Sequence, residues 1–270
     1  MLKLSLVLST QPASFSALAY RGHLAENIKK INKMGYDGVE LAVRNPELLD
    51  LKDLESILAD NNLTVPAIGT GQAFGEEGLS FTNPDANIRR KATERIKSHI
   101  ELAAHFNAKV IIGLIRGIIE EKSDFQQAES MLIEALSECA AENESIDLVI
   151  EPLNRYECNI LNTAAETVQL IQKCNAKNIG LLLDTFHMNI EEPSIEDSIS
   201  KHKDHLFHFH VADSNRWFPG AGHIDFRKLI NTLYKINYKG FISAEMLPLP
   251  DPDTAAEMTI KNMRMFNSQP

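Results

Sequence analysis

The chain has 270 residues, of which 44% are hydrophobic and 24% are charged, as in an ordinary globular protein. Its formal net charge of -10 disfavours a nucleic-acid partner, because binding a phosphate backbone needs a basic face. No apolar run approaches the roughly 20 residues that cross a bilayer, so we expect no membrane partner. The segment Met1–Ser9 lacks the features of a secretory leader, and we expect a cytoplasmic protein.

Eight short apolar runs follow one another along the chain, separated by longer amphipathic segments. Most of these runs are apolar throughout rather than alternating, which is typical of parallel strands covered on both faces. The predicted strands are Leu4–Ser9, Gly38–Leu41, Val65–Gly69, Ala108–Ile115, Leu148–Pro152, Ile179–Asp184, Leu206–Asp213 and Phe241–Leu247.

The segments between the runs carry apolar residues at helical spacing. Asp225 is predicted to cap the helix that follows it, and Gly35 and Gly240 are predicted to lie where helices end. The predicted helices are Asn27–Met34, Leu51–Leu58, Ile88–Phe106, Phe125–Ala141, Ala164–Cys174 and Phe226–Ile236.

Eight strand–helix units in about 250 residues predict an α/β fold, a (β/α)₈ TIM barrel. We expect a single domain over residues 1–270, because no Pro/Gly/Ser-rich linker divides the chain. The alternative is an open doubly wound sheet, which would need a phosphate-binding fingerprint at its switch point. The only candidate for such a fingerprint, Gly69-Thr70-Gly71, is too short.

Residues typical of metal ligands occur at the ends of the last four predicted strands. Glu151, Asp184, His210 and Glu245 each lie where a βα loop begins, which is where barrel enzymes carry their chemistry. His208 points the same way as His210 because strand side chains alternate with period two, and we choose His210 because it is nearer the C-terminal end.

Three carboxylates at one barrel mouth would repel one another and are costly to bury unless paired or bound to a metal. A divalent cation removes this repulsion, and a mostly oxygen-donor set favours Mn²⁺, Mg²⁺ or Co²⁺ over a closed zinc site. The alternative is that each residue caps a loop or pairs with a basic side chain.

Further polar side chains lie in the same loops. Glu157 follows Glu151 by six residues, His187 follows Asp184 by three, and Arg216 follows His210 by six. They are candidates for substrate contacts, although Arg216 and His187 could equally be salt-bridge partners of the carboxylates.

These segments resemble the ketose 3-epimerases, the D-tagatose and D-psicose 3-epimerase group of the xylose-isomerase-like sugar isomerase/epimerase superfamily. Within the group the chain is most similar to the 5-keto-L-gluconate epimerase type, through segments such as Leu4–Thr10 and Ala67–Gln72. The segments that carry the broader resemblance are Ile150–Glu157, Leu183–Glu192, His208–Arg216, Pro219–Phe226 and Ser243–Glu245.

The resemblance implies a role for each candidate. Glu151, Asp184, His210 and Glu245 match the family's metal ligands, and both glutamates also match its pair of acid/base carboxylates. The substrate-binding positions of the family are matched by Glu157, His187 and Arg216. The implied cofactor is one divalent ion per subunit, most often Mn²⁺, in a homo-oligomer such as a dimer or tetramer.

We expect from this resemblance a small-molecule sugar substrate whose C3 is inverted through an enediolate. A keto-sugar acid would need a cation for its carboxylate, which Arg216 or Arg116 could supply. The alternatives are an aldose–ketose or hydroxypyruvate-type isomerase of the same superfamily, an endonuclease on abasic DNA, and a sugar-binding module without activity.

Overall fold

In the computed structural model, which describes residues 1–119 and 125–268, the eight apolar runs form parallel strands that close into a barrel. The first strand pairs with the last, Lys3 opposite Phe241 and Leu6 opposite Ala244, which completes the ring. A short strand, β2, pairs with β1 outside the ring. The strands are β1 Lys3–Ser9, β2 Tyr20–Arg21, β3 Gly38–Ala42, β4 Ala67–Gly69, β5 Lys109–Ile112, β6 Leu148–Ile150, β7 Ile179–Asp184, β8 Leu206–Val211 and β9 Phe241–Ala244.

Helices surround this barrel, and the main apolar core lies between them and the strands. None of the helices in the described residues is long and apolar enough to cross a bilayer. The helices are α1 Leu24–Met34, α2 Leu51–Asp60, α3 Gly71–Glu77, α4 Ala86–Phe106, α5 Phe125–Glu142, α6 Ala164–Cys174, α7 Thr185–Glu191, α8 Ile195–Lys201, α9 Phe226–Lys235 and α10 Pro252–Asn267.

The barrel interior is divided into two halves of different chemistry. The apolar half consists of one side chain from each of β4 to β7, which form a cluster separate from the main core: Ala67, Ile111, Val149 and Leu182. The polar half consists of side chains from β1, β3, β8 and β9, each no more than 1% exposed: Ser5, Glu40, His208 and Ser243.

The predicted barrel is confirmed, and the predicted strands differ from the observed ones at their ends. Predicted strand Ala108–Ile115 ends at Ile112, because a turn of 3₁₀ helix begins at Leu114. Asp225 caps α9 as predicted, with its carboxylate accepting a hydrogen bond from the Lys228 amide.

The two glycines that were predicted to end helices have different outcomes. Gly35 ends α1 with a φ of 91°, a conformation that suits glycine. The prediction for Gly240 is wrong: α9 ends at Lys235, and Asn237, with a φ of 61°, makes the turn instead. Helices α3, α7, α8 and α10 were not predicted, although Asp251 and Pro252 give α10 a cap and a first-turn proline.

Candidate active site

Four side chains meet at the C-terminal mouth of the barrel: those of Glu151, Asp184, His210 and Glu245. Each offers one potential ligand atom, and these atoms all lie within 4.8 Å of one another. The Nδ1 atom of His210 is 3.7 Å from Oε1 of Glu151 and 3.8 Å from Oδ2 of Asp184. We refer to this group as the carboxylate–histidine cluster.

The period of two along a strand explains why these four side chains converge. Glu151 and Asp184 each follow a member of the apolar half, Val149 or Leu182, by two residues, so they face the same axis one level higher. His210 and Glu245 likewise follow members of the polar half by two residues. The cluster is therefore the next layer of side chains above the barrel interior.

Several buried atoms of the cluster lack a hydrogen-bond partner in the described residues. These atoms are Oε1 of Glu151, Oδ2 of Asp184 and both ring nitrogens of His210, of which Nδ1 faces the two carboxylates. Leaving such atoms unsatisfied is costly, and they are all able to donate a lone pair to a cation. The donor set and its geometry fit a divalent metal ion.

The charges in the cluster perturb the ionisation of its members. Burial raises the pKa of Glu151 well above its ordinary value and raises that of Glu245 to about 7. Burial opposes a charge on His210, but the carboxylate of Glu40 raises the pKa of this imidazole to about 10. In the metal-free protein these groups therefore hold protons that a divalent cation would displace.

His187 lies beside the cluster and presents a hydrogen-bond donor to it. Its Nδ1 accepts from the backbone and side-chain amides of Asn154, at 3.2 and 2.8 Å, so the proton of the neutral ring is on Nε2. This Nε2 atom is 3.9 Å from Oε1 of Glu151 and has no other partner in the described residues. Burial lowers the pKa of His187 well below its ordinary value, which keeps the ring neutral.

Arg216 reaches the same cavity from the loop after β8. Its guanidinium lies between the rings of Phe15 and Phe186, with centroid distances of 5.2 and 4.7 Å. It donates to Oε1 of Glu157 at 2.7 Å and contacts Oε2 of Glu245 at 3.5 Å. The structure thus brings Glu157 and Arg216 together as an ion pair at the edge of the cluster.

Arg116, which the sequence suggested as a second cation for an acidic substrate, does not serve that purpose. It is fully buried, and its guanidinium donates to backbone carbonyls rather than pointing into the cavity. The acceptors are the carbonyl oxygens of Gly113, Glu151, Ile160 and Leu161. Arg116 therefore braces the loop after β6 and is not available to a ligand.

A cavity of about 300 Å³ opens above the cluster, which is large enough for a small sugar. Its far wall comes from the first half of the barrel, including Phe15, Thr70, Gln72 and Leu114. Among the described residues that line the cavity, Arg216 is the only arginine or lysine.

Glu40 is a functional candidate that the sequence reasoning missed. It lies in the centre of β3 with 1% of its surface exposed, and its carboxylate contacts Nε2 of His208 at 2.7 Å and Nε2 of His210 at 2.9 Å. The signal was available, since a carboxylate inside an apolar strand is as costly as one at its end. The same contacts account for His208, which faces Glu40 and not the carboxylate–histidine cluster.

Comparisons with known proteins identify the family and the relatives of this chain. The family described as xylose isomerase-like TIM barrel matches residues 28–268. A D-psicose 3-epimerase of Ruminiclostridium cellulolyticum is 31% identical over 229 residues, which are 81% of this chain and 76% of that protein. The 3-dehydro-D-guloside 4-epimerase of Escherichia coli is 27% identical, over 83% of this chain and 87% of that protein.

A solved structure of D-psicose 3-epimerase with D-tagatose, from Clostridium cellulolyticum H10, is similar in fold. It matches with a TM-score of 0.83 and 23% identity, over 99% of this chain and 100% of that one. At this level of identity the likeness shows that the two chains share the barrel.

Proposed function

Because this chain belongs to the xylose isomerase-like TIM barrel family, we propose that it is a metal-dependent epimerase that inverts C3 of a ketose or keto-sugar acid. It is an isomerase of the carbohydrate epimerase class, as its named relatives are. The substrate types we favour are those of 5-keto-L-gluconate and of D-tagatose or D-psicose. The observation that carries the proposal is the carboxylate–histidine cluster, which combines unpartnered ligand atoms with two glutamates from strands well apart in the ring.

The proposed cofactor is one divalent ion per subunit, held by Glu151, Asp184, His210 and Glu245. Three carboxylates and one imidazole favour Mn²⁺, with Mg²⁺ or Co²⁺ as alternatives. Such an ion, when bound, polarises the substrate carbonyl as a Lewis acid and so acidifies the neighbouring C–H.

Epimerisation next to a carbonyl requires removal of a proton on one face of the carbon and return of a proton on the other. Glu151 and Glu245 are proposed to be the two proton-transfer groups, since they reach the cavity from β6 and β9. One accepts the C3 proton and the other delivers a proton to the opposite face, and the roles exchange for the reverse reaction. The intermediate between these two steps is an enediolate.

The enediolate carries negative charge that fixed donors stabilise. The Nε2–H of His187 and the guanidinium of Arg216 are the groups we assign to this task, since both face the cavity beside the cluster. Glu157 holds Arg216 in place and offers its second oxygen to a substrate hydroxyl. A cytoplasmic location and assembly into dimers or tetramers stay predictions.

The test is a panel of neutral ketoses and keto-sugar acids incubated with the Mn²⁺-loaded protein in deuterated water and followed by NMR. We expect deuterium at C3 together with the C3 epimer. A carbonyl that migrates from C2 to C1 would show an aldose–ketose isomerase instead. Inversion at C4 would place the activity with that of the Escherichia coli relative, and binding without exchange would indicate a sugar-binding module.

A further inference from the structure

Glu40 is buried beneath the carboxylate–histidine cluster, and each of its oxygens faces a different histidine. Oε2 is 2.7 Å from Nε2 of His208, and Oε1 is 2.9 Å from Nε2 of His210. Strands β3 and β8 are not neighbours in the sheet, so these contacts cross the barrel interior. All three side chains are no more than 1% exposed, so water competes little for these contacts.

The 2.9 Å contact decides which nitrogen of His210 keeps its proton. An ionised carboxylate presents only lone pairs and would repel a bare ring nitrogen at 2.9 Å, so the Nε2 atom that faces Glu40 must carry hydrogen, although the contact is not aligned as a hydrogen bond. In the neutral ring the other nitrogen then has a free lone pair. This nitrogen, Nδ1, is the one that lies 3.7 and 3.8 Å from Glu151 and Asp184.

We propose that Glu40 is a positioning residue that holds His210 in the tautomer whose Nδ1 lone pair faces the metal site. A metal-ligating histidine commonly donates its other N–H to a carboxylate, which fixes the ring and makes the ligand more basic. Glu40 has the burial and the distance for this task. The inference rests on the proposed function only in requiring that the cluster binds a divalent ion.

A second metal ion among Glu40, His208 and His210 is the competing interpretation, because these three also form a group of potential ligands. The distances oppose it. Ligand atoms about 2.1 Å from a shared ion stand roughly 3 Å or more apart at right angles, whereas Glu40 and His208 are 2.7 Å apart. The 2.7 Å contact between Glu40 and His208 is a hydrogen bond, and the 2.9 Å contact between Glu40 and His210 is a direct ion pair.

The test is isothermal titration of metal-stripped wild type, Glu40→Gln and His208→Asn with Mn²⁺. An amide at position 40 can donate to Nε2 as well as accept from it, so it no longer selects the tautomer. We expect Glu40→Gln to weaken Mn²⁺ binding about 10- to 100-fold at unchanged stoichiometry. His208→Asn removes the other contact of the same carboxylate but leaves His210 paired, and its Kd should stay within about threefold of wild type.

Equal Kd values for Glu40→Gln and wild type would overturn the inference and leave the proposed function standing. An equal loss of Mn²⁺ affinity in Glu40→Gln and His208→Asn would also overturn it, because any change in the buried hydrogen-bond network would then have the same effect. Absence of Mn²⁺ binding in the wild type would overturn the proposed function and this inference together.

A second measurement does not depend on how well Glu40→Gln folds. In ¹⁵N-histidine-labelled wild type loaded with Mg²⁺, Nε2 of His210 should carry the proton and Nδ1 should not. His210→Asn identifies the signal by its loss. A proton on Nδ1 would overturn the inference.

Discussion

The two halves of the barrel interior support the same ring of side chains by different means. Beneath Glu151 and Asp184 lie Val149 and Leu182 of the apolar half, which offer no hydrogen bond. Below His210 and Glu245 the polar half provides a hydrogen-bonded network that runs from Glu40 through His208 to Ser243 and Ser5. The apolar half contributes packing, whereas in the polar half Glu40 is the residue proposed to orient the one imidazole of the cluster.

This difference shows that the candidate ligands of one cluster can be positioned by different interactions. Glu151 and Asp184 have unpartnered oxygens that the proposed cation would compensate, while His210 has the Glu40 carboxylate 2.9 Å behind its Nε2 atom. Substitutions in the two halves should therefore have separable effects on turnover, stability and metal affinity.

The largest expected effect is the loss of turnover when either of the two proposed proton-transfer glutamates is replaced. Glu151 lies above the apolar half and Glu245 above the polar half. Glu151→Gln and Glu245→Gln should each reduce kcat by about 10³-fold, because a positioned acid or base contributes 10²- to 10⁴-fold. Deuterium exchange at C3 of the best substrate measures this effect. Glu138→Gln, on the outer surface of α5, is the matched control. Exchange above a tenth of the wild-type rate in either variant would refute its role.

Removing a member of the apolar half should lower stability without weakening metal binding. Leu182→Ala leaves a cavity at a fully buried position and should reduce the free energy of unfolding by about 3 kcal/mol. Its Mn²⁺ Kd should stay within about threefold of wild type. Chemical denaturation and titration measure the two quantities. A loss of affinity as large as that of Glu40→Gln would show that the two halves are not separable.

Substitution of Arg216 should distinguish a keto-sugar acid from a neutral ketose as the substrate. Arg216→Lys loses the planar guanidinium that stacks between Phe15 and Phe186 and pairs with Glu157, and kcat/KM should fall by roughly 10²-fold. The fall should be larger for a keto-sugar acid than for a neutral ketose if Arg216 binds the carboxylate. Arg89→Lys, on α4, is the control. An equal fall for both substrates would assign Arg216 to the reaction centre alone.

The smallest effect is a pH dependence of metal binding. Burial raises the pKa of Glu245 to about 7 in the metal-free protein, above its value of about 4.3 in the unfolded chain. The folded state therefore holds an extra proton between these values, and metal-free stability falls as pH rises through 7. Mn²⁺ displaces this proton, so its affinity should rise with pH, more steeply below 7 than above it, where the raised pKa values of Glu151 and His210 leave other protons to be displaced.

Thermal melting at pH 5.5 and pH 8, with and without Mn²⁺, measures this coupling. The rise in Tm on adding Mn²⁺ should be larger at pH 8. A metal-induced rise that is the same at both values would contradict the proton displacement.

The sequence predicted the barrel and the convergence of the cluster because both follow from simple periodicity. Asp184 and Glu245 lie at the ends of apolar runs, and the ends of parallel strands must meet at one mouth. Glu40 was missed because candidate ligands were taken only from the ends of the predicted strands, and Glu40 lies in the middle of β3. Its partners come from β8, far along the chain, and only the closed barrel brings them together.

Arg116 was misjudged for a related reason. A basic residue just after a barrel strand is a reasonable candidate for the cavity, but its acceptors are carbonyls up to 45 positions away. Hydrogen bonds to backbone carbonyls leave no pattern in side-chain types. Helix α10 had local signals, in Asp251 and Pro252, and could have been predicted.

Asp184 belongs at once to a strand, a helix and the cluster. It is the last residue of β7, its Oδ1 accepts from the Phe186 amide to cap α7, and its Oδ2 faces His210. His187 lies in the first turn of that helix. Binding of the ion and the position of the His187 imidazole are therefore coupled, because both depend on the Asp184 carboxylate. An Asp184 variant would consequently fray the start of α7 as well as lose a ligand, and amide hydrogen exchange in α7 would report when the ion departs.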